Sequence, residues 1–154
     1  EIMPSLVGSE MCIRDRTKKA YLLGAAGYDP QAIVASGGMS AHLGERYGTE
    51  ARFVSDLMQA APALQTPIVQ GLPYTEAEVL YAVRHELAGT VEDVLSRRMR
   101  ARLMARDASA LAAARVGQIL QSELGLAPTV ITQQVNDYLV AIQHEKSVLM
   151  GDKE

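Results

Sequence analysis

The 154-residue sequence holds no tryptophan, one phenylalanine and one cysteine, and each shortage removes a class of structure. Strands are built from aromatic and β-branched residues in alternation with polar ones. After the opening YLLGAAGY no such alternation is sustained, which argues against a sheet. A lone thiol, Cys12, forms no intrachain disulfide framework and no thiolate metal site. No apolar run approaches the roughly 20 residues that span a bilayer as a helix. The charge is mildly acidic, −3, whereas a nucleic-acid partner asks for a concentrated positive field.

The N-terminus stands apart, because a non-native segment carries no information about the fold. Residues 1–16, EIMPSLVGSEMCIRDR, resemble the frame translation of a transposase sequencing adapter joined to a read. The expectation is that Glu1 to Arg16 are non-native and that the native fragment begins near Thr17. A secretory leader is the alternative, but no basic start is followed by a sustained apolar stretch. Without this segment the only cysteine disappears. Two of the 15 basic and three of the 18 acidic residues go with it, leaving a net of −2. A thiol-free chain suits a reducing compartment.

Helical signals dominate what remains. A short helix is expected through AHLGERYG from about Ser40, stopped at Gly48. Thr49 is placed to cap EARFVSDLMQAA, with Phe53, Val54, Leu57 and Met58 on one stripe. The prolines and glycine of APALQTPIVQGLPY read as a linker. Thr75 and Glu78 have capping-box spacing, starting a helix to about Ala88 that Gly89 breaks. Thr90 and Asp93 offer a weaker restart. Asp107 caps a helix carrying Leu111, Ala112, Val116, Ile119, Leu120 and Leu124 as far as Gly125. After Pro128 a last helix aligns Ile131, Val135, Tyr138, Leu139 and Ile142. Isolated helices of these lengths are marginal in water, so the fold class is all-α: a single compact bundle of about five to six helices packed stripe to stripe.

Candidate chemistry is sparse. Gly24-Ala-Ala-Gly27 is not a dinucleotide fingerprint and reads as a turn before Asp29-Pro30. His42, His85 and His144 have no partner at the i+4 spacing that converges on a metal ion. Ser36, Ser55, Ser96, Ser109 and Ser122 sit in no nucleophile elbow. First-turn acids such as Glu76 and Glu78 are expected from the helix dipole alone. The strong charge feature is the run Arg97, Arg98, Arg100, Arg102 and Arg106, close in sequence to Glu86, Glu92 and Asp93. Pairing within the domain or across a polar interface fits it better than phosphate binding.

HLGERYG (42–48), LPYTEAEVLYAVRHELAGTVEDVLSRRMR (72–100) and the alanine-rich helix ending in SELG (122–125) resemble, in order and spacing, the C-terminal domain of aerobic glycerol-3-phosphate dehydrogenases and the related alpha-glycerophosphate oxidases. The resemblance runs from about Ala20 to about Leu139. It implies a flavoprotein that oxidises glycerol 3-phosphate to dihydroxyacetone phosphate. Electrons pass from FAD to membrane quinone, or to oxygen in the oxidase branch. The FAD site and the catalytic residues belong to the preceding domain, so no catalytic, cofactor-binding or metal residue carries over onto this chain. The fragment alone is expected to be inactive.

The layout implied is residues 1–16 adapter, 17–30 linker from the missing FAD domain, 31–146 helical cap, and 147–154 frayed tail. Glu76, Glu78, Tyr81, Glu86, Asp93, Arg97, Arg98 and Arg100 match the family motif and are expected in cap architecture. Among them Glu86, Arg97, Arg98 and Arg100 are the candidates for docking. Met99 departs from the threonine common in the family. The partners implied are the chain's own N-terminal FAD domain and, through the full-length enzyme, quinone, with no nucleic acid and no metal. The location implied is cytoplasmic, at the cytoplasmic face of a membrane. The alternative is a stand-alone helical binding module, with Thr75 to Arg100 outlining a DNA-binding helix-turn-helix.

Overall fold

The computed structural model describes residues 20–151; the segment read as adapter lies outside them. Among the described residues there are seven α-helices and no sheet, so the architecture is all-α. The helices number more than the sequence suggests because two are very short. The chain divides into two compact units, one ending at Ala51 and the other beginning at Arg52.

In the first unit, α1 (Pro30–Ser36) starts where Asp29 accepts from the N–H groups of Gln31 and Ala32, with Pro30 in its first turn. It packs on α2 (Gly38–Tyr47), where Gly44 lies so close to Ile33 that a Cβ would meet its Cγ2 at 2.7 Å. Gly24 to Gly27 form the expected turn, which is pinned to the end of α2. Thr49 N–H donates to Gly24 O at 3.0 Å, and both Gly24 and Gly48 have positive φ. Thr49 therefore lies in a 3-10 turn (Gly48–Glu50) and supplies no side-chain cap to the next helix.

The second unit opens with α3 (Ala51–Ala60), which buries Val54 and Met58 and leaves Phe53 exposed. The stretch read as a linker is ordered. Ile68 N–H donates to Tyr74 O at 2.9 Å and Glu76 N–H to Thr66 O at 3.1 Å, a short antiparallel bridge that drives Ile68, Val69 and Tyr74 into the core. Pro67 is itself the bridge partner of Thr75, but both hydrogen bonds run through the neighbouring residues, so its missing N–H costs none within the bridge.

α4 (Glu76–His85) starts at the predicted capping box: the fully buried Glu78 carboxylate accepts from Thr75 N–H at 2.8 Å. It is joined to α6 (Arg106–Leu124) by two forked ion pairs. Arg115 donates to both oxygens of Glu76 at 2.7 Å, and Arg84 to both oxygens of Glu123 at 2.6 and 2.8 Å. Both pairs span the same 39-residue offset, so α4 and α6 run parallel. α7 (Pro128–Gly151) comes after Gly125, left-handed at φ 63°, and returns antiparallel along α6.

Two sequence expectations need correcting. On α6, Leu111 is 78% exposed and Leu124 42%. The expected Ala112, Val116, Ile119 and Leu120 are buried, joined by the small Ser109, Ala113 and Gly117 that the stripe did not include; of these, Ser109 and Gly117 meet α7. Small side chains let the two axes approach, and a Cβ at Gly117 would meet Ile131 Cγ2 at 2.9 Å. At the C-terminus, α7 runs to Gly151. Its last turns are held to the start of α6 by Lys146, whose Nζ lies 2.6 Å from Asp107 Oδ1. That contact also removes Asp107 from the N-cap role: the cap position is Ala105, and Asp107 lies in the first turn.

Candidate functional site

The arginine run lies in the segment that joins α4 to α6. α4 stops at His85, and Leu87 then adopts a left-handed conformation (φ 57°) with its side chain 90% exposed. Ala88 N–H turns back onto Ala82 O at 3.0 Å. The restart is stronger than the sequence suggests. Thr90 Oγ1 accepts from Asp93 N–H at 3.0 Å, while Asp93 Oδ2 accepts from Thr90 N–H at 3.1 Å and Gly89 N–H at 3.2 Å. The chain then enters a π-helical segment, Asp93–Arg98, closed by Met99 N–H donating to Val94 O at 2.8 Å. The widened turn admits one extra residue and buries Val94, Leu95 and Met99 together. Arg100, left-handed at φ 56°, ends it and precedes the four-residue α5 (Ala101–Met104).

Most of the positive charge is met inside the chain. Arg97 lies 2.7 Å from Asp93. Arg98 donates through Nε and Nη2 to the Glu86 carbonyl, at 3.0 and 2.6 Å. Arg102 bridges Glu92 at 2.9 Å and Glu145 at 2.6 Å and lies over the Tyr138 ring. Burial opposes ionisation of Asp93, but Thr90, the Gly89 N–H and Arg97 together hold its carboxyl below the usual range. The Tyr138 phenol is pushed up by burial, and its oxygen is 2.9 Å from Ser109 Oγ. Between this segment and α7 is a cleft of about 470 Å³ lined by residues that include Thr90, Asp93, Arg97, Gln134, Asp137 and Tyr138. Among the described residues no group of His, Cys, Asp and Glu is placed to hold a metal ion, and no helix is long and apolar enough to cross a membrane.

A family model described as the C-terminal domain of alpha-glycerophosphate oxidase matches residues 15–130. The chain belongs to this family. Curated relatives carry the name glycerol-3-phosphate dehydrogenase. The mitochondrial SDP6 protein of Arabidopsis thaliana is 33% identical over 70% of this chain and 20% of its own length. Glycerol-3-phosphate dehydrogenase 2 of Mycobacterium bovis is 30% identical over 84% of the chain and 24% of its own length. A probable mitochondrial glycerol-3-phosphate dehydrogenase of Dictyostelium discoideum is 37% identical over 51% of the chain and 12% of its own length. The chain thus spans at most about a quarter of the relatives it matches. No solved structure matches it.

Within this domain, the four candidate docking residues are not equivalent. Glu86 and Arg98 are joined to each other, and Arg97 to Asp93. Arg100 is exposed at the mouth of α5. The helix-turn-helix alternative is not favoured, since its second helix is the π segment and Asp93 there pairs with Arg97. Sequence reasoning foresaw the pairing of Arg102 with a nearby acid, Glu92, but missed its second partner, Glu145, and the Ser109–Tyr138 pair. Glu145 and Tyr138 lie on α7, more than 28 residues from their partners, so no local spacing announces them.

Proposed function

We propose that the chain is the C-terminal helical cap of an FAD-dependent glycerol-3-phosphate dehydrogenase. The enzyme removes two electrons and two protons from the C2 alcohol of glycerol 3-phosphate, giving dihydroxyacetone phosphate, and reduced flavin passes them to quinone. The observation that carries this reading is the family match over residues 15–130, joined to dehydrogenase relatives that are four to five times longer than the part aligned with this chain. In it the flavin and the substrate belong to the portion of the enzyme that precedes this domain, and these helices dock against that portion. The inward pairing of the arginines supports a structural role, since charge already neutralised is poorly disposed to bind a phosphate ester. Quinone as acceptor implies a full-length enzyme that works at the cytoplasmic face of a membrane.

The test is to express the complete reading frame and follow flavin bleaching and quinone-analogue reduction on addition of glycerol 3-phosphate. Bleaching by the full-length protein and none by this chain alone is expected. A full-length protein without bound flavin, or turnover by this chain alone, would overturn the proposal; peroxide production in place of quinol would overturn its acceptor.

A further inference from the structure

Leu87, Leu103 and Met104 are 90%, 82% and 67% exposed, and they bracket the one stretch whose backbone is forced. Leu87 and Arg100 are the two non-glycine residues with positive φ among those described. A side chain in that region is disfavoured relative to glycine, so the conformation persists only where the surroundings over-determine it. Here the surroundings are visible: Arg98 clamps the carbonyl that precedes Leu87, and Arg100 O accepts from the N–H groups of Leu103 and Met104 at 3.1 and 3.2 Å. These bonds tie Leu103 and Met104 to Arg100 within a single turn. The Arg98–Glu86 tie brings Leu87 to the same segment. The core takes nothing from these four side chains, yet the fold fixes where they stand.

We infer that Leu87, Arg100, Leu103 and Met104 form the docking surface for the part of the same polypeptide that precedes this C-terminal domain. The occupant is identified by the share of the relatives that this chain covers, 20% to 24%, and by the family's own description as a C-terminal domain: most of the protein lies ahead of these helices. The inference rests on the functional reading above and sharpens it. Docking moves from Glu86, Arg97 and Arg98, whose partners lie within the chain, to an apolar triad with one cation. Its counterpart is expected to present apolar side chains around a carboxylate that Arg100 meets through its fork.

The experiment uses the full-length enzyme with a photoreactive phenylalanine analogue replacing Leu103, and maps the cross-link by peptide mass. A cross-link to a peptide ahead of residue 15 is expected. Cross-links to a second copy, to peptides of this domain, or to none overturn the inference. Leu103→Asp in the same protein is expected to raise limited proteolysis within residues 86–105 about tenfold, following the open population when opening is fast relative to cleavage. An unchanged rate counts against docking. The arms separate the two readings: an upstream cross-link without glycerol 3-phosphate oxidation retires the functional proposal alone. Oxidation without the cross-link retires this one alone.

Discussion

Gly117 offers the sharpest test of how α6 and α7 pack, because two effects of known size oppose each other there. Alanine in place of glycine inside a helix gains about 0.8–1 kcal/mol of propensity. The added methyl, however, would stand 2.9 Å from Ile131 Cγ2 and 3.1 Å from Val135 Cγ2. Both are methyls on β-carbons of a neighbouring helix, with a single favoured χ1 rotamer, so neither swings away and the helices must part. Overpacking of this kind costs about 1–3 kcal/mol. Gly117→Ala is therefore expected to lower stability by about 1 kcal/mol net, despite the better helix former. Gly89→Ala provides the control: nothing lies within 4 Å of its Cβ position, and it should change stability by less than about 0.5 kcal/mol. Urea unfolding followed by circular dichroism measures both, with an unchanged m-value required for the comparison. Adding Ile131→Ala should turn the Gly117→Ala effect from destabilising to neutral or favourable, a coupling that a double-mutant cycle reads directly. If Gly117→Ala alone proves as stable as the parent, the close approach of the two helices is wrong.

The packing makes three further outcomes testable. Leu120→Ala should cost about 2–5 kcal/mol and Leu111→Ser less than about 0.5 kcal/mol, since the first is fully buried and the second 78% exposed; thermal unfolding of the pair tests which of two leucines on the same expected stripe the core takes in. Arg115→Met should lower stability by about 1 kcal/mol or less, discounted for the exposure of the arginine and raised by the nearly buried Glu76 it leaves behind, with the loss shrinking at high salt. Arg84 holds the Glu123 carboxyl below its ordinary range. The stability this supplies is present above the unfolded carboxylate pKa, near 4, and disappears as pH falls through the lower folded value. The difference between the parent and Arg84→Met in urea titrations should then be constant from pH 6 to 8 and vanish in acid.

What was legible in the sequence was whatever has a local signature. The capping box at Thr75 needs only a hydroxyl and a carboxylate three residues apart, and Gly48 and Gly125 end helices because their backbones take positive φ. On α6 periodicity found Ala112, Val116, Ile119 and Leu120 but overreached to the exposed Leu111 and Leu124, and it passed over Ser109, Ala113 and Gly117, whose burial depends on smallness. Ile68 and Val69 were lost among prolines. The π segment has no periodicity of its own to recognise, and it exists because Val94, Leu95 and Met99 must all reach one core. The docking candidates were found as a charged run, but only the folded chain separates an arginine occupied by Glu86 from one facing outward.

The common direction of α4 and α6 has a cost in topology. Two neighbouring helices that point the same way cannot be joined by a hairpin; the chain must travel back along the whole of α4, about 15 Å for its ten residues, before α6 can begin. Residues 86–105 are that journey. Their length is thus as constrained as their composition: a deletion of even one turn there would leave Arg115 and Glu123 out of reach of Glu76 and Arg84, whatever side chains remained. It also sets the order of assembly, since neither fork closes until a 39-residue loop has been drawn in.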